Sequence, residues 1–287
     1  MSTVKYDKSI LDSVLGLSCI ENYLLYILKS REYNFSLLFY RSFLPFDKIV
    51  DEFIQENASY ASFYQIERIQ EVARKDGVID FNYIQSDSLA YTDKEDYLTA
   101  KIKPEYIQFK YNTSLWRDDH YFLINQIDEF NFAYLNDTPR DSGVISKDEL
   151  EQNYAGACIT ITINQLDSFN KKIQALHIKD FLDLINGATK PSTQFNKKIN
   201  DVQVFRDIMG ILRILRKRNM EFCKNYIDTH FMQNYISELD TIYTKIEYMR
   251  LRRQSLDEKG EVWLQEINDK DKIIIKKLKY EMEKVEL

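Results

Sequence analysis

Apolar residues repeat at helical spacing in the first part of the chain, and alternation of apolar and polar residues follows. The helical repeats cover residues 19–30, 47–56 and 63–76, the last of which ends at Gly77. Alternation predicts strands over residues 78–84, 105–111, 120–127, 132–137 and 157–163. The first half of the chain therefore predicts helices first and an antiparallel sheet after them.

Two shorter signals add detail to this half. The segments 120–127 and 132–137 flank the turn-like sequence DEFN, which predicts a hairpin of two antiparallel strands. Ser146 precedes a helical pattern, and Glu149 lies within that pattern, three residues after Ser146. This spacing is typical of a capping box, so residues 145–156 predict a short capped helix.

Strand patterns disappear from about Gln165 onward, and helical repeats replace them. The apolar positions that mark three long helices are Val204, Ile208, Ile211, Leu212 and Leu215, then Ile236, Leu239, Tyr243 and Ile246, then Ile273, Ile274, Leu278 and Met282. The sequence NGATKPST at 186–193 is a clear break. The predicted fold class is therefore α+β, with a domain over 1–164 and an all-helical region over 165–287.

The distribution of charge supports a boundary near residue 165. Residues 1–164 carry 16 Lys and Arg against 26 Asp and Glu, a balance of −10, whereas residues 165–287 carry 23 against 19, a balance of +4. The 287 residues include only 7 Gly and 4 Pro, which favours long helices over a turn-rich β fold.

Composition also excludes several classes of protein. No window approaches a membrane span, and the N-terminal residues lack the continuous apolar region of a secretory signal. Cys19, Cys158 and Cys223 have no metal-like spacing and are odd in number, so we expect reduced thiols in a cytoplasmic protein. With 3 histidines in the chain, we predict no metal site.

Three residues have the types and positions that a thiol nucleophile requires. Cys19 opens the predicted helix at 19–30, where the partial positive charge and free N–H groups of a helix N-terminus lower a thiol pKa. His120 begins one strand of the predicted hairpin and Asp137 ends the other, so their side chains can meet. An imidazole can take the thiol proton, and a carboxylate can fix the tautomer and orientation of that imidazole.

Each of the three residues also has a structural interpretation. A free cysteine is often a small buried packing residue, and a histidine at a strand start is often structural. An aspartate before Thr138 and Pro139 is a common turn former. Spacing alone leaves both interpretations open.

Three segments resemble papain-like C39-type cysteine enzymes: GLSCIENYLLYIL (16–28), DDHYFLINQIDEFNFAYLNDTP (118–139) and ISKDELEQNYAG (145–156). The family pattern is a cysteine opening a long helix, a histidine on a strand, a hairpin ending in Asp-Pro or similar, and a short helix before a final strand. The likeness covers about residues 10–163. It is strongest to the butirosin-acyltransferase-like branch, and the amide-forming enzyme of closthioamide assembly is also similar.

This resemblance implies Cys19 as nucleophile, His120 as general base and acid, and Asp137 as the residue that orients His120. It implies an enzyme of nonribosomal peptide or antibiotic biosynthesis that forms an amide. The acyl group would come from the thioester of an acyl or peptidyl carrier protein, on its phosphopantetheine arm, and would pass to a small amine. No bound cofactor is implied.

The chain departs from the family pattern where an oxyanion donor is expected. C39 peptidases usually have glutamine about six residues before the cysteine and Asp-Cys-Gly at the nucleophile, whereas here Ser13 takes the first position and Ile20 follows Cys19. Thr138 also separates Asp137 from the proline. The Cys19 N–H can supply one oxyanion donor. Candidates for the second donor are Ser13, Ser18 and Asn22, and aromatic candidates for a pocket that excludes water are Tyr23, Tyr111, Trp116 and Tyr121, with core packing as the alternative.

Positive charge is concentrated in the predicted helix around residues 211–219. The candidates for docking an acidic carrier protein are Arg213, Arg216, Lys217 and Arg218, and a solvated helix face is the alternative. The net charge of −6 and the lack of a groove-reading motif argue against nucleic acid as a partner. The C-terminal helices could bind substrate, a carrier or a second copy of the chain in a homodimer.

Two other functions fit the same residues. A cysteine peptidase or thioesterase would use the triad to pass the acyl group to water. A catalytically inactive relative would use the fold only to bind a partner.

Overall fold

The computed structural model describes residues 15–55, 69–89, 97–114, 116–118, 120–164, 171–188, 199 and 201–286. These residues form two compact units. The first unit takes its described residues from 17–35 and 69–164 and contains a sheet. The second takes its described residues from 15–16, 36–55 and 171–286 and is helical. The α+β class and the helical C-terminal region are therefore confirmed.

Six strands form one antiparallel sheet in the first unit. They are β1 (Ile79–Gln85), β2 (Tyr97–Ile102), β3 (His120–Gln126), β4 (Asn131–Asp137), β5 (Arg140–Ser146) and β6 (Tyr154–Ile163). Their order across the sheet is β1-β6-β2-β3-β4-β5, so β3, β4 and β5 form consecutive hairpins. The pairing of Leu123 with Leu135 brings the start of β3 to the end of β4.

Four of the described helices precede β1, two lie between strands and four follow β6. In chain order they are α1 (Cys19–Ser30), a 3-10 helix (Phe35–Arg41), α2 (Phe46–Gln55), α3 (Ile69–Lys75), α4 (Pro104–Tyr111), α5 (Lys147–Asn153), α6 (Lys171–Ala188), α7 (Val202–Cys223), α8 (His230–Leu251) and α9 (Asp257–Met282). None of these helices is long and apolar enough to cross a membrane.

Helix α1 packs against the sheet through its apolar stripe. Tyr23, Leu24 and Ile27 are completely buried, and the helix contacts β3, β4 and α3. The predicted apolar stripe at 19–30 is therefore the buried face of α1. Burying this stripe fixes the helix, and with it the N-terminus that carries Cys19.

The prediction of a strand over 105–111 is wrong, because this segment forms α4. Pro104 occupies the first turn, where its missing N–H costs nothing, and Asn112 ends the helix in the left-handed region at φ 49°. Tyr106 and Ile107 are both buried, and two adjacent buried positions suit one face of a helix rather than a strand.

Most other predicted elements are confirmed, and two strands were not predicted. Strands β1, β3, β4 and β6 lie where alternation places them, and the Ser146 hydroxyl accepts a hydrogen bond from the Glu149 N–H at the start of α5. Strands β2 and β5 lack a clear alternating pattern, and β5 is an edge strand. Their places are set by backbone pairing with neighbouring strands. Of the predicted helix over 63–76, residues 63–68 lie outside the described residues.

The second unit has a core between α2 and the C-terminal helices. Phe46, Ile49 and Val50 of α2 pack in one cluster with Ile208 and Leu212 of α7. Helix α2 therefore belongs to this unit, whereas the predicted domain over 1–164 assigns it to the first. The physical reason is that the apolar face of α2 is buried against a helix distant in sequence.

A buried ion pair connects four parts of this helical unit. Arg216 on α7 binds Asp271 on α9 through two hydrogen bonds, of 2.8 Å from Nε to Oδ1 and 2.6 Å from Nη2 to Oδ2. The Tyr235 hydroxyl and the Phe46 N–H also donate to the Asp271 carboxylate. Arg216 and Asp271 are each 1% exposed, so this carboxylate is satisfied entirely by protein donors.

Candidate active site

Cys19 is the first residue of α1, and a capping box fixes the helix start. The Ser18 hydroxyl accepts a hydrogen bond from the Glu21 N–H, and Glu21 Oε2 accepts from the Ser18 N–H at 2.9 Å. The other Glu21 oxygen accepts from the Ile69 N–H of α3 at 3.0 Å. Glu21 is therefore a buried carboxylate that joins the cap of α1 to the backbone of α3.

His120 and Asp137 meet at the open end of the β3–β4 hairpin. His120 Nε2 lies 3.0 Å from Asp137 Oδ1, and the two side chains are 11% and 8% exposed. An ionised carboxylate can only accept, so Nε2 carries the proton in this bond. The second ring nitrogen, Nδ1, is then left with its lone pair, as a proton acceptor requires.

Two residues of α1 hold Asp137 from the other side. Asn22 Nδ2 donates to Asp137 Oδ2 at 2.9 Å. The Tyr23 hydroxyl accepts from the Asp137 N–H at 3.3 Å and donates to the Tyr121 carbonyl at 2.7 Å. The Asp137 carboxylate therefore lies beside the helix that begins with Cys19.

Some of the groups around Cys19 raise the pKa of its thiol, and others lower it. Burial raises the pKa of the Cys19 thiol to about 12, and the negative charge of Asp137 adds to the increase. The backbone N–H groups of Ile20, Tyr121 and Cys19 itself act to lower that pKa. Among the described residues, the thiol makes no hydrogen bond to His120. Without substrate, the site therefore holds a neutral thiol, and three backbone N–H groups lie beside it.

Aromatic rings cover the imidazole. Trp116 meets His120 edge to face, with ring centroids 5.0 Å apart and an interplanar angle of 79°, and Phe122 lies 6.4 Å away. The indole Nε1 of Trp116 is buried and has no hydrogen-bond partner in the described part of the chain. This predicted pocket residue therefore shields His120 and keeps one donor available.

The other predicted site residues have different surroundings. The Ser18 hydroxyl donates to Glu21 Oε2 at 3.0 Å, so it serves the helix cap and not an oxyanion. Tyr111 donates to Asp141 at 3.0 Å and accepts from Asn136, in a polar cluster on β4 and β5. The Tyr121 carbonyl accepts from the Tyr23 hydroxyl, and the Tyr121 backbone N–H acts on the Cys19 thiol. Ser13 lies outside the described residues.

Two of the four residues of the predicted basic docking face, Arg216 and Arg218, are buried and cannot contact a carrier protein. Arg216 is buried on Asp271, and Arg218 is 1% exposed and donates to the carbonyls of Leu15 and Gly16. Arg213 and Lys217 share the carboxylate of Asp240. The buried guanidinium groups of Arg216 and Arg218 need these internal acceptors because burial of an unpaired charge is costly. Arg213 and Lys217 keep side chains 16% and 18% exposed beside the exposed Asp240, so a docking role for these two stays a prediction.

The sequence does not predict the role of Asn22 and Tyr23 in holding Asp137, because it indicates Asn22 as an oxyanion donor and Tyr23 as an aromatic residue of the pocket or core. One signal was present in the sequence. Asn22 and Tyr23 follow Cys19 by three and four residues, so they lie on the same face of a helix as the thiol. A residue on that face is well placed to contact whatever assists the thiol.

Metal ligands do not cluster in the described residues: no three His, Cys, Asp or Glu side chains lie together as a metal site requires. Comparison of the sequence with protein-family models and with curated proteins gives no match. The functional interpretation of this site therefore depends on its geometry and on the resemblance of the three segments to papain-like enzymes.

Proposed function

We propose that this protein is a cytoplasmic cysteine-dependent acyltransferase with a papain-like core. The observation that carries the proposal is the His120–Asp137 pair, 3.0 Å apart and held by Asn22 and Tyr23 beside the helix that Cys19 opens. A nucleophile, a base and a residue that orients the base are the three parts of a thiol acyl-transfer site.

The first half of the reaction transfers the acyl group to the enzyme. His120 Nδ1 takes the thiol proton as Cys19 Sγ attacks the thioester carbonyl, and the tetrahedral oxyanion forms. The backbone N–H groups around the thiol are suited to this negative charge, and the Trp116 indole is a further donor near His120. The oxyanion collapses, and the leaving carrier thiolate takes the proton from His120.

The second half passes the acyl group to an amine. His120 accepts a proton from the amine as the amine nitrogen attacks the Cys19 thioester. Collapse of the tetrahedral species expels the Cys19 thiolate, which regains its proton from His120. The aromatic cover of His120 favours transfer to an amine because it limits the access of water.

The resting pKa determines the order of events at Cys19. Because burial and Asp137 keep the thiol protonated at neutral pH, no preformed thiolate waits for substrate. Protonation of His120 during the attack places a positive charge beside Asp137. This positive charge offsets the negative charge of Asp137, which otherwise disfavours the Cys19 thiolate. Contacts between a base and its proton donor often tighten only when substrate binds. General base assistance by His120 is therefore the step that activates the site.

The experiment uses acetyl-N-acetylcysteamine, a thioester with the terminal atoms of a phosphopantetheine arm. Intact-mass spectrometry of the full chain should find an acetyl group on Cys19, and Cys19→Ala should abolish this loading. Cys158→Ala is the matched control, since it removes a buried thiol of the same unit outside the site. Loading that persists in Cys19→Ala would overturn the proposal.

Product analysis separates transfer from hydrolysis. With an added primary amine, the loaded enzyme should yield the acetamide and return to its unmodified mass. Free acetate in equal amounts with and without amine would identify a thioesterase or peptidase instead. Failure of the wild-type enzyme to load would identify an inactive binding protein.

A further inference from the structure

We propose that Asn22 is a positioning residue that sets the tautomer of His120 through Asp137. The relevance of this role to catalysis rests on the proposed function, but the role itself is a property of the structure. The amide of Asn22 donates to Asp137 Oδ2 at 2.9 Å, and the opposite oxygen, Oδ1, faces His120 Nε2 at 3.0 Å.

The two oxygens of Asp137 therefore have different partners. A rotation of the carboxylate out of its present plane would break the bond to Asn22 as well as the bond to His120. Because the carboxylate accepts only, its fixed Oδ1 selects the His120 tautomer that is protonated on Nε2. That tautomer leaves Nδ1 free to accept a proton, which is the state a general base needs.

Tyr23 fixes the backbone of Asp137, whereas Asn22 fixes its side chain. The Tyr23 hydroxyl has one proton, and its shortest acceptor is the Tyr121 carbonyl at 2.7 Å. Its distance to Asp137 Oδ1 is longer, at 3.4 Å. The strong donor to the Asp137 carboxylate from α1 is therefore the Asn22 amide.

Helix geometry connects this role to the nucleophile. Cys19 and Asn22 lie three residues apart, one turn along the same face of α1. Helix α1 therefore carries both the Cys19 thiol and the Asn22 amide, which orients Asp137 and His120. A shift of α1 would move both together and would preserve their spacing.

The competing explanation is that the Asn22 amide only ties α1 to β4 and stabilises the fold. The test compares Asn22→Ala with Asn153→Ala, in which the amide lost is a donor to the Glu149 carbonyl of the same unit, remote from Asp137 in the hydrogen-bond network. Asn22→Gln, which retains an amide donor, is the rescue variant. Asn22 is half-buried in the first turns of α1, so the folded state should survive its truncation.

The first readout is the tautomer of His120. The chain has 3 histidines, so the nitrogen chemical shifts of isotope-labelled imidazoles can be assigned with His120→Gln. At about pH 8, where a free imidazole is neutral, the wild type should show the Nε2-protonated tautomer. Asn22→Ala should show averaged tautomers, Asn22→Gln should recover at least part of the wild-type pattern, and Asn153→Ala should equal the wild type.

The second readout is acetylation of Cys19 by acetyl-N-acetylcysteamine. Outer partners that orient metal-bound histidines are typically worth about 10–100-fold, and we expect Asn22→Ala to lower the saturating rate by a similar factor, with KM unchanged. An unchanged His120 tautomer in Asn22→Ala would overturn the positioning role. The failure of the proposed function is distinguishable, because it would appear as wild-type acetylation that His120→Gln does not slow.

Discussion

Asp137 in the sheet-containing unit and Asp271 in the helical unit are both buried, at 8% and 1% exposure, and both accept hydrogen bonds on each carboxylate oxygen. The partners differ in kind. Asp271 is bound by Arg216, whose guanidinium keeps its charge at all ordinary pH values. Asp137 is bound by His120, whose imidazole can donate a proton from one ring nitrogen and accept a proton at the other.

This difference separates a structural pair from a candidate catalytic pair. The Asp271 network has a fixed charge and a bidentate geometry, and Arg216, Tyr235 and Phe46 bring neither a thiol nor an imidazole to it, so its role is to connect α2, α7, α8 and α9. The Asp137 network contains a base with one available nitrogen and acts electrostatically on a thiol. The type of partner is therefore more informative about function than burial.

The largest expected effect comes from Asp137→Asn, which removes the charge and retains the shape. The amide can no longer select the Nε2-protonated imidazole, so acetylation of Cys19 should fall by about 10⁴-fold, as in other triads. Mass spectrometry at timed intervals measures this rate. Urea unfolding is the control and should change little. A rate within tenfold of the wild type would contradict the role of Asp137.

The next effect is on stability and arises from Arg216→Met. This change leaves Asp271 buried without its counterion, so the free energy of unfolding should fall by about 3–5 kcal/mol. Removal of both charges in Arg216→Met with Asp271→Leu should restore part of the loss, because an apolar pair has no charge to desolvate. Urea unfolding measures both variants. A double variant less stable than Arg216→Met would indicate that the Tyr235 and Phe46 donors dominate the network.

The smallest expected effect is a pH dependence that originates at Cys19. The thiol titrates with a pKa near 9.0 when unfolded and about 12 when folded. Between these values the unfolded chain loses the proton and the folded chain retains it, so the free energy of unfolding should fall as pH rises from about 9 toward about 12. Cys19→Ala should show a shallower decrease over this range in urea unfolding. Equal slopes would show that the folded thiol ionises like the unfolded one.

The sequence predicted the elements of the site better than their contacts. The hairpin pattern was sufficient to bring His120 and Asp137 together, because strand pairing fixes which residues meet at its open end. Asn22 was harder to assign, since an asparagine amide suits an oxyanion as well as a carboxylate. Its partner depends on the packing of α1 against β4, which no local pattern encodes.

In the helical unit, the sequence pattern predicted the wrong exposure for two basic residues. A run of basic residues on a helix normally indicates a solvated face, because charged side chains are rarely buried without partners. Arg216 can be buried because it donates to the Asp271 carboxylate. Arg218 can be buried because it donates to the carbonyls of Leu15 and Gly16. These partners lie far away in the sequence, so the charge run predicted exposure where there is burial.

The neutral thiol of Cys19 has a consequence for the chemical durability of the protein. Peroxide and similar oxidants attack thiolates, and they convert an exposed thiolate to sulfenic acid and then to irreversible products. Burial and the charge of Asp137 hold Cys19 in its protonated form. In the proposed reaction this protonated state would slow oxidation of Cys19 between turnovers, and transfer of its proton to His120 would make it reactive only during attack on a substrate.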